Sequence, residues 1–178
     1  MTYVMKALIV AGKAVQDHEF VYPYYRLPEA GFTVDVAVRG RETVYGSIGM
    51  KITPDLDFCD VEIEKYQLLV IPGGAKAMEY MRQDEGLLAI IREAHQRGLV
   101  ISAICHGAQL LISAGLVRDR SISGYYSIRD DINNAGGTYI NQPAVVDGKI
   151  ITSPHYKHLG SWMSETIRAV HRDQDYHI

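Results

Sequence analysis

The stretch LVISAICHGAQLLISAG, residues 99–115, decides the fold of this chain. It opens with a continuous apolar run at 99–104, which has the length and composition of a strand buried on both faces. The residues after His106 place apolar side chains at helical spacing, and this pattern ends at Gly115. A buried strand that leads directly into a helix is typical of a parallel α/β sheet. Cys105 stands at the junction between the two.

The same alternation of strands and helices runs along all 178 residues. It predicts an α/β fold in a single domain, 1–178, built as a three-layer sandwich with a mostly parallel central sheet. Pro28 is expected to kink or shorten the first helix, and residues 43–52 are expected to form a hairpin or another excursion from the sheet. The predicted strands are 6–11, 33–38, 68–71, 99–104, 138–140, 144–146 and 149–152, and the predicted helices are 17–30, 86–97, 106–114, 128–135 and 158–171.

Composition and charge exclude several classes of function. The chain is 47% hydrophobic and 22% charged with a formal net charge of -3, and no block of Lys and Arg indicates binding to nucleic acid or to a membrane surface. No apolar run approaches a membrane span or a signal-peptide core, so a cytoplasmic protein is expected. The two cysteines, Cys59 and Cys105, exclude a four-cysteine metal site, and no metal or cofactor is expected.

Cys105 has the sequence context of a catalytic nucleophile. Ligands of parallel sheets bind beyond the carboxyl ends of the strands, where Cys105, the loop 12–19 and the turn 72–74 are predicted to meet. A strand, a sharp turn and a helix form a nucleophile elbow, which exposes its side chain above the sheet. The N–H groups at the helix start are expected to lower the pKa of the thiol and to hold an oxyanion. The alternative is a buried structural cysteine.

The stretch AICHGAQLLISAGLVRDR, residues 103–120, resembles the elbow of the PfpI family of intracellular cysteine proteases, within the ThiJ/PfpI superfamily. Ala108 stands where that family usually has proline. The resemblance covers nearly the whole chain in order and implies the flavodoxin-like fold shared with class I glutamine amidotransferases. The other matching stretches are YPYYRLPEAG (22–31), LLVIPGG (68–74), IRDDINNAGG (128–137), VVDGKIITS (145–153) and WMSE (162–165).

The resemblance implies roles for five side chains. Cys105 matches the nucleophile, and His106 matches its histidine partner, whose ring turns toward a carboxylate. Glu79 matches the glutamate that supplies this carboxylate across a subunit interface, which implies a homodimer or a larger homo-oligomer. Glu19 matches an acid that hydrogen-bonds the cysteine, a role that requires a protonated carboxyl because two neighbouring charges would repel each other. Tyr125 matches a tyrosine near the pocket. For the two glutamates, the alternative is an ordinary solvent-facing residue, and for Tyr125 a place in the core or an interface.

Three glycines complete the set of candidate residues. Gly73 and Gly74 are candidate backbone donors to an oxyanion, and Gly107 keeps side-chain bulk away from the turn, although glycines also simply form turns. Two segments depart from the family pattern, the loop 13–16 and the segment 154–159. The second contains His155 and His158, which either line the pocket or an interface or belong to a solvated loop. The loop is the favoured interpretation. These departures leave the substrate preference open.

Three functions fit these residues. The first is a cysteine hydrolase that cleaves peptide or amide bonds of a small peptide through Cys105, His106 and Glu79. The second is a cofactor-free glyoxalase or deglycase, in which the same thiolate adds to a 2-oxoaldehyde. The third is a redox-sensing stress protein or chaperone, because an exposed low-pKa thiol oxidises readily. A glutamine amidotransferase is rejected, because a His-x-Glu pair is missing late in the chain.

Overall fold

A computed structural model describes residues 4–176 of the chain. Its centre is a six-stranded sheet with strand order β2-β1-β5-β6-β10-β9. All neighbouring strands are parallel except β9, which pairs antiparallel with β10 at one edge. The ten strands are β1 (Met5–Val10), β2 (Phe32–Ala37), β3 (Val44–Tyr45), β4 (Lys51–Ile52), β5 (Leu68–Ile71), β6 (Val100–Ile104), β7 (Ser121–Ile122), β8 (Thr138–Tyr139), β9 (Val145–Asp147) and β10 (Ile150–Ser153).

Helices cover both faces of this sheet. Helices α1 and α6 pack against each other, and α6 also packs against β6 and β10, whereas α2, α3 and α5 each contact α4 on the other side. The arrangement confirms the predicted α/β fold with a mostly parallel central sheet. The helices are α1 (Asp17–Glu29), α2 (Ala75–Met81), α3 (Glu85–Gln96), α4 (Ala108–Ser113), α5 (Arg129–Asn134) and α6 (Leu159–Asp175).

The central strands are buried because helices shield them on both faces. Every residue of β5, β6 and β10 is buried, as the continuous apolar runs of β5 and β6 predict. Trp162 of α6 is fully buried. Within residues 4–176, none of the helices combines the length and the apolar character needed to span a bilayer.

Most predicted elements are present, with bounds shifted by one to a few residues. The hairpin predicted at 43–52 is confirmed as the antiparallel pair β3–β4. Pro28 neither breaks nor visibly shortens α1, because it falls in the last turn and the helix runs to Glu29. Helix α2 and strand β7 were not predicted, and the helix predicted from His106 begins instead with a 3₁₀ turn, Cys105–Gly107, before α4.

Candidate active site

Cys105 lies at a strained turn between β6 and the helix that follows. Its φ angle is +59°, in the left-handed region that residues other than glycine seldom adopt. The C=O group of Cys105 accepts a hydrogen bond of 3.1 Å from the N–H of Tyr125. The geometry is that of a nucleophile elbow, as the sequence predicts. The side chain is less open than expected, because only 6% of Cys105 is exposed.

Glu19 is a fully buried carboxyl group beside this thiol. Gln16 caps α1 by accepting the N–H of Glu19, which places Glu19 in the first turn, beyond the carboxyl ends of the strands. Its Oε1 accepts the N–H of Gly73 at 2.9 Å. Its Oε2 is buried and has no hydrogen-bond partner among residues 4–176, and the carboxyl interacts with the thiol of Cys105. A protonated Oε2 supplies the hydrogen that a thiolate at Cys105 would accept.

Burial controls the ionisation of both groups. It raises the pKa of Glu19 to about 8, even though hydrogen bonds with Gly73 and Cys105 lower it. Burial, followed by the charge of an ionised Glu19, also raises the pKa of the Cys105 thiol, and the N–H groups of His106 and Gly74 oppose this rise only in part. The pKa lowering predicted from the helix start is therefore wrong in direction. Since Glu19 is protonated at neutral pH, its repulsion of a thiolate is absent there.

His106 is placed to exchange a proton with the thiol. Its Nδ1 lies 3.4 Å from Sγ of Cys105, and its Nε2 lies 3.4 Å from Oγ of Ser127. Burial lowers the pKa of His106, so the ring is neutral at pH 7. A neutral ring that accepts the thiol proton at Nδ1 carries its own hydrogen on Nε2, where Ser127 accepts it. The ring also stacks on Tyr125, with 4.7 Å between the centroids.

The carboxylate expected beside His106 is not supplied from within the described part of the chain. Glu79 lies on the exposed side of α2, where its backbone C=O accepts from Gln83 and its carboxylate makes no hydrogen bond or ion pair among residues 4–176. The structure brings Ser127 to Nε2 of His106 instead. A role for Glu79 therefore depends on a second subunit and stays a prediction.

Gly73 and Gly74, which follow β5, have no room for a side chain because atoms of other segments lie close to them. A Cβ atom on Gly73 would lie 2.6 Å from Oε1 of Glu19, and one on Gly74 would lie 2.7 Å from the C=O of Ala14. The N–H of Gly73 is already bonded to Glu19, so Gly73 does not fit the expected role of oxyanion donor. Gly74 does fit, because its N–H interacts with the sulfur of Cys105. Gly107 is buried at the end of the 3₁₀ turn.

Several residues that lie around the site are not predicted to do so by the sequence. The structure adds Ser127 and Tyr126, which follow Tyr125 directly, and it brings His155 within 6.0 Å of the Tyr125 ring. His155 is half-buried rather than part of a freely solvated loop, and His158 donates its N–H to the C=O of His155. The signal available in the sequence was the density of aromatic residues and histidines in 125–126 and 155–158.

Known proteins with similar sequences include proteins named as enzymes, which agrees with an active site at Cys105. A family model described as the DJ-1/PfpI family matches residues 5–169. An uncharacterized protein of Archaeoglobus fulgidus is 42% identical over 168 residues, which cover 94% of this chain and 99% of that protein. Two proteins named as deglycases, TK1284 of Thermococcus kodakarensis and PfpI of Pyrococcus furiosus, are each 38% identical over 164 residues, which cover 92% of this chain and 98% of each relative.

Solved structures share the same fold. A two-domain protein of Anabaena variabilis, with DJ-1/ThiJ/PfpI-like and ferritin-like domains, matches with a TM-score of 0.89 and 32% identity, over 92% of this chain and 47% of that longer chain. DJ-1beta of Drosophila melanogaster matches with a TM-score of 0.86 and 24% identity, over 97% of this chain and 98% of its own. With a family match that spans nearly the whole sequence, this chain belongs to the DJ-1/PfpI family.

Proposed function

We propose that this protein is a cysteine-dependent deglycase. It hydrolyses the adducts that 2-oxoaldehydes form with amines and thiols, and it releases a 2-hydroxy acid, which is lactate when the aldehyde is methylglyoxal. The observation that carries the proposal is the buried carboxyl of Glu19, which interacts with the thiol of Cys105 and whose Oε2 has no hydrogen-bond partner among residues 4–176. An acid with a pKa of about 8 is matched to a reaction that both gives and takes a proton near neutral pH.

The proposed first step is an exchange at the carbon derived from the aldehyde. The sulfur of Cys105 forms a bond to this carbon, and the bond from the carbon to the substrate's nitrogen or sulfur breaks. The proton that the thiol gives up passes to Nδ1 of His106, which lies 3.4 Å from Sγ, and from there to the leaving group. The product of this step is a hemithioacetal on Cys105. The N–H groups of His106 and Gly74 face the sulfur and are placed to stabilise negative charge on the neighbouring oxygen.

The second step moves a proton between adjacent carbons of the bound fragment. A base removes the hydrogen from the carbon bonded to sulfur, and a proton returns to the neighbouring carbon that was the ketone. The hemithioacetal thereby becomes the thioester of a 2-hydroxy acid without gain or loss of atoms. Water then attacks the thioester, the 2-hydroxy acid leaves, and the sulfur of Cys105 takes back the electron pair as a thiolate.

Two features favour this reaction over peptide cleavage. The ionisable carboxyl at the site, Glu19, interacts with the sulfur instead of the imidazole. The deglycase names of relatives at 38% identity support the same choice. A homo-oligomer in which Glu79 reaches the partner's site is compatible with either reaction and is part of the proposal.

The experiment that tests the proposal compares two substrates side by side. Lactate release is measured from the methylglyoxal hemithioacetal of N-acetylcysteine, and amine release is measured from a small peptide amide, each with the unmodified protein and with Cys105→Ser. We expect lactate release that depends on Cys105 and little peptide cleavage. Rapid peptide cleavage without lactate would contradict the proposal and favour the peptidase.

A further inference from the structure

A row of aromatic rings leads from the candidate active site to the loop after β10. The His106 ring stacks on Tyr125 at 4.7 Å, Tyr125 lies 6.0 Å from His155, and His155 lies 4.2 Å from Tyr156, all measured between centroids. Consecutive members of the row are in stacked or tilted contact. Through His155, the segment 154–158 therefore forms a wall beside Tyr125 and His106, although Tyr156 and Lys157 on it are exposed, as a solvated loop predicts.

Lys157 is held at the outer part of this wall. Its ammonium group lies 5.6 Å from the ring centroid of Tyr126, within the range of a cation–π contact. The Tyr126 ring in turn lies 5.4 Å from Tyr125, which stacks on His106. Two aromatic rings thus connect the ammonium of Lys157 to the imidazole that faces the nucleophile.

The charge of Lys157 is not neutralised by the acids described near the site. Within residues 4–176, Lys157 forms no ion pair. The carboxylate of Asp17 is occupied by the N–H groups of Ile48 and Met50 and the hydroxyl of Ser47, and Glu19 is buried and protonated at pH 7. The aromatic rings that lead away from His106 therefore have the ammonium group of Lys157 beside them, with no ion pair among residues 4–176.

We propose that Lys157, positioned by Tyr126, forms a subsite for a carboxylate group of the substrate. The assignment rests on the proposed function and specifies its substrate class, namely adducts whose amine or thiol half carries a free carboxylate. The same chemistry would recognise the terminal carboxylate of a peptide, so the two sources are separated by experiment. Lys157 is a binding residue in this account, and the reacting bonds remain those at Cys105.

The first test uses a pair of alkylating probes that differ only in charge, N-iodoacetylglycine and its neutral amide, N-iodoacetylglycinamide. In each case the sulfur of Cys105 forms a bond to the methylene carbon, the carbon–iodine bond breaks and iodide leaves. The background is Cys59→Ser, so that a single thiol reacts. The measured quantity is the ratio of the two alkylation rates, acid over amide, divided by the same ratio for free N-acetylcysteine.

We expect a normalised ratio of about twofold to fivefold at low salt, as for a partly exposed ion pair, and a decline toward one as the salt concentration rises. Lys157→Gln should bring the ratio close to one, and Tyr126→Leu should lower it in part. Lys65→Gln removes the same charge from the exposed lysine that pairs with Glu62 and should leave the ratio unchanged. A ratio that Lys157→Gln does not alter, or that salt does not reduce, would overturn the subsite.

Turnover assays then show whether the carboxylate that Lys157 recognises belongs to an adduct or to the C-terminus of a peptide. Lactate release is compared for the methylglyoxal hemithioacetals of N-acetylcysteine and of N-acetylcysteine amide, and cleavage is compared for a peptide with a free or an amidated C-terminus. A preference for the acid in the first pair supports the assignment, and a preference only in the second pair overturns it. If the probes show the preference but no lactate forms, the deglycase proposal fails while the carboxylate subsite stands. If lactate forms without an acid preference, the substrate assignment alone fails.

Discussion

The backbone N–H of Gly73 donates a hydrogen bond of 2.9 Å to Oε1 of Glu19. This bond joins the turn after β5 to the first turn of α1, and it holds in place a carboxyl that also interacts with the thiol of Cys105. The ionisation of the site therefore depends on a contact between two segments that are far apart in the sequence. The first predictions test this contact.

Replacing Gly73 with alanine should disrupt the site. The added Cβ would lie 2.6 Å from Oε1 of Glu19 and 2.7 Å from the C=O of Ile104, so one of these segments must move. We expect a loss of stability of about 1–3 kcal/mol and at least about tenfold slower lactate release. Urea unfolding and the lactate assay measure the two effects. The control is Gly160→Ala, where a Cβ meets no atom within 4 Å, and equal behaviour of the two variants would contradict the account.

Replacing Glu19 with glutamine or with leucine tests whether its hydrogen bonds matter or only the space that its side chain fills. The carbonyl of Glu19→Gln can accept the N–H of Gly73, and its amide can donate to the sulfur of Cys105, whereas Glu19→Leu can do neither. We expect Glu19→Gln to keep the alkylation rate of Cys105 at pH 7 within about threefold, and Glu19→Leu to slow it about tenfold or more. Iodoacetamide labelling followed by peptide mass spectrometry gives both rates. Identical rates in the two variants would remove Glu19 from the site.

The raised pKa of Glu19 also predicts a pH dependence of stability. Between about pH 4.5 and pH 8 the folded chain holds a proton on Glu19 that the unfolded chain has released, so stability falls as pH rises through this window and levels off above it. In a Cys105→Ser background, which removes the coupled thiol, Glu19→Gln should abolish this fall. The gain in unfolding free energy from Glu19→Gln should grow by on the order of a few kcal/mol from pH 5 to pH 8.5. Parallel stability profiles would show that Glu19 ionises normally.

The two cysteines should differ in reactivity at pH 6. Desolvation raises the pKa of the exposed Cys59 thiol, and charge repulsion and hydrogen bonding from Asp57 and Asp60 raise it further. At this pH the carboxyl of Glu19 is protonated, so it stabilises a thiolate at Cys105 instead of repelling it. We expect faster iodoacetamide labelling of Cys105 than of Cys59 despite the raised pKa of the buried thiol, because Nδ1 of His106 lies 3.4 Å from Sγ and takes up the thiol proton during the attack. The two rates are measured separately in Cys59→Ser and Cys105→Ser. Equal rates would contradict an activated thiol at the elbow.

Variants of Glu79 test the proposed homo-oligomer, in which this residue reaches the active site of a neighbouring subunit. If its carboxylate orients His106 of a neighbouring subunit, Glu79→Gln should lose activity by about a hundredfold while Cys105 stays in place. A mixture of Glu79→Gln and Cys105→Ser chains would then regain part of the activity, because some oligomers pair an intact Glu79 with an intact Cys105. Mass spectrometry of the mixture establishes that subunits exchange. Exchange without recovery would place Glu79 outside the site and leave Ser127 as the partner of His106.

The sequence predicts the sheet and the elbow because both depend on local patterns. The apolar runs of β5 and β6 match strands buried on both faces, and the junction at Cys105 has the strained φ angle that an elbow requires. The pKa of the Cys105 thiol was predicted in the wrong direction, because burial by distant segments outweighs the local N–H groups. The contact between Ser127 and His106 joins residues 21 positions apart, and no local pattern encodes it.

In the proposed reaction, Cys105 carries the aldehyde-derived fragment during turnover. The most direct measurement is a rapid-quench single turnover with the methylglyoxal hemithioacetal of N-acetylcysteine, with the protein analysed by peptide mass spectrometry at each time point. We expect the peptide containing Cys105 to gain the mass of one methylglyoxal before lactate appears and to lose it as lactate forms. In Cys105→Ser, we expect neither the mass gain nor lactate release. Lactate release by Cys105→Ser at the rate of the unmodified protein would contradict the account.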